Sequence, residues 1–142
     1  MNPSASLHGA FLTRITLGSI LLAHGALKIL VFTIPGTVAF FGSLGLPAIA
    51  AYLTIFGEVA GGVALILGIY PRLVALLSLP LLLGAAWAHS GNGWLFSNEG
   101  GGWEFPVVLV VLAIIVALQG AGSFALKSIP GVDRYIPDAL KA

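Results

Sequence analysis

The chain has 142 residues, 58% of them hydrophobic and only 8% charged, with a formal net charge of +1 and a mean hydropathy of +1.07. A soluble domain is about a quarter charged, so too few polar groups exist here to cover a water-facing surface, and lipid must solvate most of the molecule. The charge balance argues against a nucleic-acid surface, which needs a basic patch, and the absence of Cys excludes disulfides, thiolate metal sites and redox thiols of the chain's own.

In chain order, the N-terminus lacks the basic region of a cleaved signal peptide, and its first apolar run is long enough to span a bilayer. A span needs about 20 mostly apolar residues. Four such stretches are expected, over residues 7–32, 47–70, 72–89 and 104–124. The fold class is therefore an all-α integral membrane protein, a four-helix bundle occupying residues 1–128, followed by a solvent-exposed tail over residues 129–142. Pro35-Gly36, Gly42-Ser43, Gly45 and Pro47 read as a linker. Tyr70-Pro71 leaves almost no connection between the second and third spans, which must form a tight antiparallel hairpin. Gly57 and Gly61 make a GxxxG on the second span, with Gly62 following, a small-residue face that brings helices close, and Pro80 is expected to kink the third near Leu76.

The longest polar interruption is residues 88–105, with one His, two Glu, two Trp, two Asn and five Gly. Such a segment belongs outside the hydrocarbon or in a protein-lined hydrated pocket, because bare backbone groups cannot face lipid. It is the expected lid or floor of any chemical site. An even span count puts Arg14, Arg72, Lys127, Arg134 and Lys141 on one side and Lys28, Glu99 and Glu104 on the other. The positive-inside rule then makes both termini cytoplasmic and the Trp-bearing loop external, in a multi-pass inner-membrane protein.

Ionisable groups inside spans are costly and usually functional. His24 and Lys28 are four residues apart, hence on one helix face, in the outer part of the first span. His89 closes the third span and Glu104 opens the fourth, at the same level. Together with Glu58, mid-way along the second span, these are the candidate catalytic residues. His24, His89, Trp94 and Trp103 are the candidate cofactor-binding set. Imidazole moves protons near neutral pH and a carboxylate can orient it, so the cluster suits a quinone head group, which needs donors to its carbonyls and a proton path. Two His could ligate haem, and His plus Glu a divalent metal, but no HxxxH or ExxH pair supports either. The plain alternative is an interfacial Lys28–Glu104 ion pair with both His bonded to backbone carbonyls. For Glu58, Arg14 is the nearest cation by depth, giving either an Arg14–Glu58 clamp or a proton relay. Arg72 reads as a cytoplasmic anchor and Gln119 as a bond to a neighbouring helix.

These residues resemble the DoxX family of small four-span membrane proteins. The matching motifs are Arg14-x3-Gly18 with His24-Gly25-x2-Lys28, then Glu58-x2-Gly61-Gly62 with Gly68 and Arg72, then His89 with Glu104, and finally Gly120-Ala121-Gly122. The resemblance covers residues 7–127. It implies an inner-membrane protein tied to oxidoreductase systems, relatives of which include a subunit of quinone-coupled thiosulfate oxidation, with other redox proteins as partners; quinone is the candidate cofactor for this chain, and a homo-oligomer is compatible with the resemblance. It also leaves open a non-catalytic scaffold that anchors soluble redox or detoxification enzymes. The family pattern often closes with Ser-Leu-Asp where this chain has Ala125-Leu126-Lys127, so a carboxylate is replaced by an ammonium at the cytoplasmic mouth.

Overall fold

The computed structural model describes residues 3–141. Five α-helices form among them, α1 (Pro3–Leu30), α2 (Ile34–Ser43), α3 (Ala48–Leu67), α4 (Pro71–Ala88) and α5 (Glu104–Gln119), with short 3-10 turns at Ser90–Asn92, Asp133–Tyr135 and Asp138–Leu140. No strand forms among the described residues; Ile69 and Lys127 make one isolated bridge. Three helical stretches, Ser4–Leu30, Ala48–Leu67 and Pro71–Asn92, are long and apolar enough to cross a membrane. The chain is thus an all-helical membrane protein. At 1.5 Å of rise per residue, the 16 residues of α5 are shorter than the expected fourth span.

Burial follows the helical period. On α1 the buried positions are Ala10, Arg14, Leu17, Gly18, Leu21 and Gly25. On α3 they are Ala51, Ile55, Glu58, Gly62 and Leu65. Leu17, Leu21, Leu65, Ala75, Leu82, Leu109, Ala113 and Val116 form one core drawn from α1, α3, α4 and α5. The opposite faces carry Leu12, Phe56, Leu77 and Leu118, all exposed, as lipid-facing side chains are.

The closest helix contact is the antiparallel crossing of α1 and α3. A Cβ on Gly62 would lie 2.8 Å from the Gly18 carbonyl oxygen, and one on Gly25 would lie 2.6 Å from Val59 Cγ2. Backbone can approach backbone only where side chains vanish. The GxxxG expectation is corrected in this respect. A Cβ on Gly57 would meet only the Leu81 side chain of α4 and one on Gly61 would lie 3.6 Å from Val74 Cγ1, so the residue of this group that must lack a side chain against α1 is Gly62.

The α3–α4 hairpin is as short as expected. Gly68 caps α3 in the left-handed region (φ 72°), the Ile69 N–H donates to the Ala64 carbonyl, and Pro71 opens α4, where its missing N–H costs nothing. α4 runs unbroken through Pro80. The expected linker after the first span instead contains α2, a helix capped by the Thr33 hydroxyl with Pro35 in its first turn. Thr37 Oγ1 donates to the Lys28 carbonyl and so ties α2 to the end of α1.

After α5 the chain folds back over the opposite end of the bundle. The Ser123 N–H donates to Leu7, Leu126 to Leu67 and Lys127 to Gly68, all at backbone carbonyls. Farther on, the Tyr70 hydroxyl accepts from the Ile129 N–H at 3.0 Å, and Lys141 pairs with Asp133 and Asp138. The hydrogen bond from Lys141 holds the exposed Asp138 carboxyl below its ordinary range.

Candidate functional site

Four of the five expected catalytic residues surround one cavity of about 250 Å³, namely His24, Lys28, Glu58 and His89. α1 contributes His24 and Lys28 from successive turns, α3 contributes Glu58, and His89 caps the end of α4. Lys28 Nζ donates to Glu58 Oε1 at 2.8 Å. The side chains of this pair retain 18% and 11% exposure. Glu58 Oε2 is buried and bonds nothing among the described residues.

This pairing overturns the Arg14–Glu58 clamp and also the alternative Lys28–Glu104 pair. Helical side chains lean toward the N-terminus of their own helix. Lys28 on α1 therefore reaches back toward mid-membrane. Glu58, on the antiparallel α3, leans toward the C-terminal end of α1 to meet it, and Arg14 leans away toward the N-terminal end of α1. There the Arg14 guanidinium donates to five carbonyls: Leu65 and Ile66 at the end of α3, then Ala121, Ser123 and Phe124 after α5. It satisfies acceptors that a helix C-terminus leaves orphaned, with the charge that end of the dipole favours. Arg14 is fully buried.

Both imidazoles are held through Nδ1. His24 Nδ1 lies 2.9 Å from the Ile20 carbonyl. His89 Nδ1 lies 3.0 and 2.9 Å from the carbonyls of Gly100 and Gly101. A carbonyl only accepts, so Nδ1 carries the proton in each ring, and Nε2 of the neutral imidazole is a bare acceptor. His24 also stacks on Phe105, with centroids 5.9 Å apart and planes 25° apart.

The Gly-rich loop closes the cavity, as its composition predicts, through Phe96, Gly101 and Gly102. Carbonyls of Gly93, Trp94 and Leu95 accept from the N–H groups of Trp103, Glu104 and Gly102. Gly102 is required there, because a Cβ would sit 2.2 Å from the Leu95 oxygen. Asn92 Nδ2 bonds the Gly100 and Gly101 carbonyls beside His89, which makes the loop a self-bonded plug.

Several expected site residues stand elsewhere. Glu104 does not line the cavity; it opens α5 and its Oε2 accepts from the Phe96 N–H at 3.3 Å. Trp94 and Trp103 also stay outside the lining and pack edge-on against each other with centroids 4.5 Å apart. Gln119 ends α5 exposed, and among the described residues its side chain bonds no other helix. Arg72, in the first turn of α4, keeps a buried Nε with no hydrogen-bond partner among the described residues. Phe105 and Phe96 were missed. The only sequence signal for them is their position beside Glu104 and within the polar loop. Among the described residues, no three His, Asp or Glu side chains converge as a metal site requires.

No solved structure matches the chain. A family model, DoxX, matches residues 9–91. A relative from Bacillus subtilis (strain 168), named "Putative oxidoreductase CatD", is 34% identical over 126 residues, covering 89% of each chain. The motifs that carry the resemblance lie on the surfaces just described: Gly18, Gly25 and Gly62 at the helix crossing, Arg14 at the carbonyl lock, and His24, Lys28 and Glu58 around the cavity. The chain is a membrane protein of the DoxX family.

Proposed function

We propose that this protein is the membrane subunit of an oxidoreductase system and that the His24–Lys28–Glu58–His89 cavity takes a quinone ring. The observation that carries this is the meeting of two imidazoles, an ammonium and a carboxylate in one apolar-walled cavity beside the Phe105 ring. An oxidised ring offers two carbonyl acceptors, and Lys28 is the donor at hand. A reduced ring offers two hydroxyls. Glu58 Oε2 and the imidazole Nε2 atoms are the free acceptors. Reduction adds two electrons and two protons, and the residues present can move the protons. The chain has no redox thiol of its own, so the electrons come from a bound cofactor or a partner protein. The family membership and the oxidoreductase name of the Bacillus relative support the same reading.

The test is lipid extraction and mass spectrometry of protein purified in mild detergent. A quinone recovered in near-stoichiometric amount from wild type, and lost from His24→Ala with Lys28→Met, is the expected result. No quinone in any preparation, with soluble enzymes co-purifying, would replace this reading with the scaffold.

The same proposal places α5 across the membrane as a fourth span, with residues 1–128 as the membrane domain, 129–142 as a cytoplasmic tail and both termini in the cytoplasm of a bacterial inner membrane. Support comes from Leu109, Ala113 and Val116 of α5, which share the core of the three long helices. A membrane-impermeant thiol reagent is expected to label Ser97→Cys in intact cells and Ser128→Cys only after lysis. The opposite pattern inverts the topology.

A further inference from the structure

A second cavity, about 340 Å³, lies between α2, α3 and α4. Lys28, Glu58, Leu81, Ala85 and His89 line both cavities, so the ion pair and the side chains of Leu81, Ala85 and His89 form the wall between them. Away from that wall the second cavity is apolar, bounded by Phe40, Phe41, Leu44, Leu53 and Pro80. Phe40 and Leu53 are also 51% and 58% exposed on the outer surface of the bundle, which opens this side to the bilayer.

We propose that the second cavity holds the hydrocarbon tail of the molecule whose ring sits in the first. The proposal rests on the quinone reading above and adds the path by which the ligand arrives and is held. The first cavity alone falls below the roughly 300–1,000 Å³ common for ligand sites, and the two joined fall within that range. Their chemistry is divided as an amphipathic ligand requires. The ring side has His24 and the loop backbone of Gly101 and Gly102, whereas Thr54 is the polar residue particular to the tail side. At the boundary stands Glu58, 8% exposed, with its Oε2 unpartnered. A buried acceptor of this kind calls for a donor, and a ring hydroxyl at the junction supplies one. The tail then leaves between Phe40 and Leu53 into lipid, so the ligand need not quit the membrane.

Gly84 makes the proposal testable. It lines the second cavity and not the first, and a Cβ there meets nothing within 4 Å. Gly84→Leu therefore adds a side chain to the tail chamber from a position where its Cβ meets nothing, and Leu is the better helix former. The experiment uses full-length protein in nanodiscs with two probes: a ring-only dimethoxy-methyl-benzoquinone, and the same ring with a decyl chain carrying a diazirine near its end. Photolabelling of the chain probe is mapped by mass spectrometry.

In wild type, label is expected on residues 40–54. Gly84→Leu is expected to reduce that label about ten-fold, with ring-only binding unchanged. Ala50→Leu, which intrudes from α3, is expected to do the same. If the ring probe binds but the chain labels other lipid-facing helices, or neither variant lowers the labelling of 40–54, the tail chamber is refuted and the ring site stands. If neither probe binds wild type, the ring site falls and the tail chamber falls with it.

Discussion

Replacing Arg14 with Gln is expected to lower the stability of the protein by at least about 3 kcal/mol, a loss large enough to mark the breaking of a buried network. The side chain is fully buried and donates to five carbonyls on two segments far apart in sequence. A hydrogen bond to a charged group contributes about 1.5–3 kcal/mol, and an orphaned buried acceptor costs about 1–3 kcal/mol. The five bonds share one guanidinium, so their effects are not additive. Arg14→Lys is expected to recover less than half of the loss, since an ammonium has three donors where the guanidinium presents a planar fork. Equilibrium unfolding in mixed micelles measures the difference. The control is Arg134→Gln, in the exposed tail over the Tyr135 ring. Equal stabilities for Arg14→Gln and the control would show that water serves these carbonyls as well as Arg14 does.

Lys28 and Glu58 are expected to be coupled by about 2–3 kcal/mol in a double-mutant cycle. Breaking a fully buried pair from one side costs about 3–5 kcal/mol. Here the side chains keep 18% and 11% exposure, so Glu58→Gln and Lys28→Met are each expected to cost somewhat less, about 2–3 kcal/mol. The double variant is expected to cost no more than either single, because a neutral pair leaves no charge uncompensated. Arg14→Gln combined with Glu58→Gln is expected to be additive, since Arg14 bonds the far end of α3 instead. A stable double variant that no longer retains quinone would separate what the ion pair does for the ligand from what it does for the fold. Additive effects at Lys28 and Glu58 would remove the pair from any account of the site.

A large part of this protein is legible in its sequence. Mean hydropathy and the scarcity of charge set the solvent, and with it the all-helical class, because lipid leaves the backbone no partner but itself. The hairpin at Gly68–Pro71 and the role of residues 88–105 as a cover over the site follow from turn chemistry and from polar groups that cannot face hydrocarbon. The His24, Lys28, Glu58 and His89 set follows from the cost of ionisable groups in lipid.

Tertiary structure decided the rest. α2 is hidden among turn residues that serve equally as caps. Gly62, rather than the Gly57–Gly61 motif, makes the tight crossing, because the face a glycine presents depends on how its helix is rotated in the bundle. Glu104 turns to the loop backbone and Trp94 and Trp103 pack on each other instead of lining the cavity. The sharpest case is the pairing of Arg14, Lys28 and Glu58. Position along the chain gives the depth of each Cα, yet a long side chain places its charge a turn or more from its Cα, toward the start of its own helix. On antiparallel helices that lean brings Lys28 and Glu58 together and carries Arg14 away to the carbonyls, and only the packed bundle sets which helices face each other so.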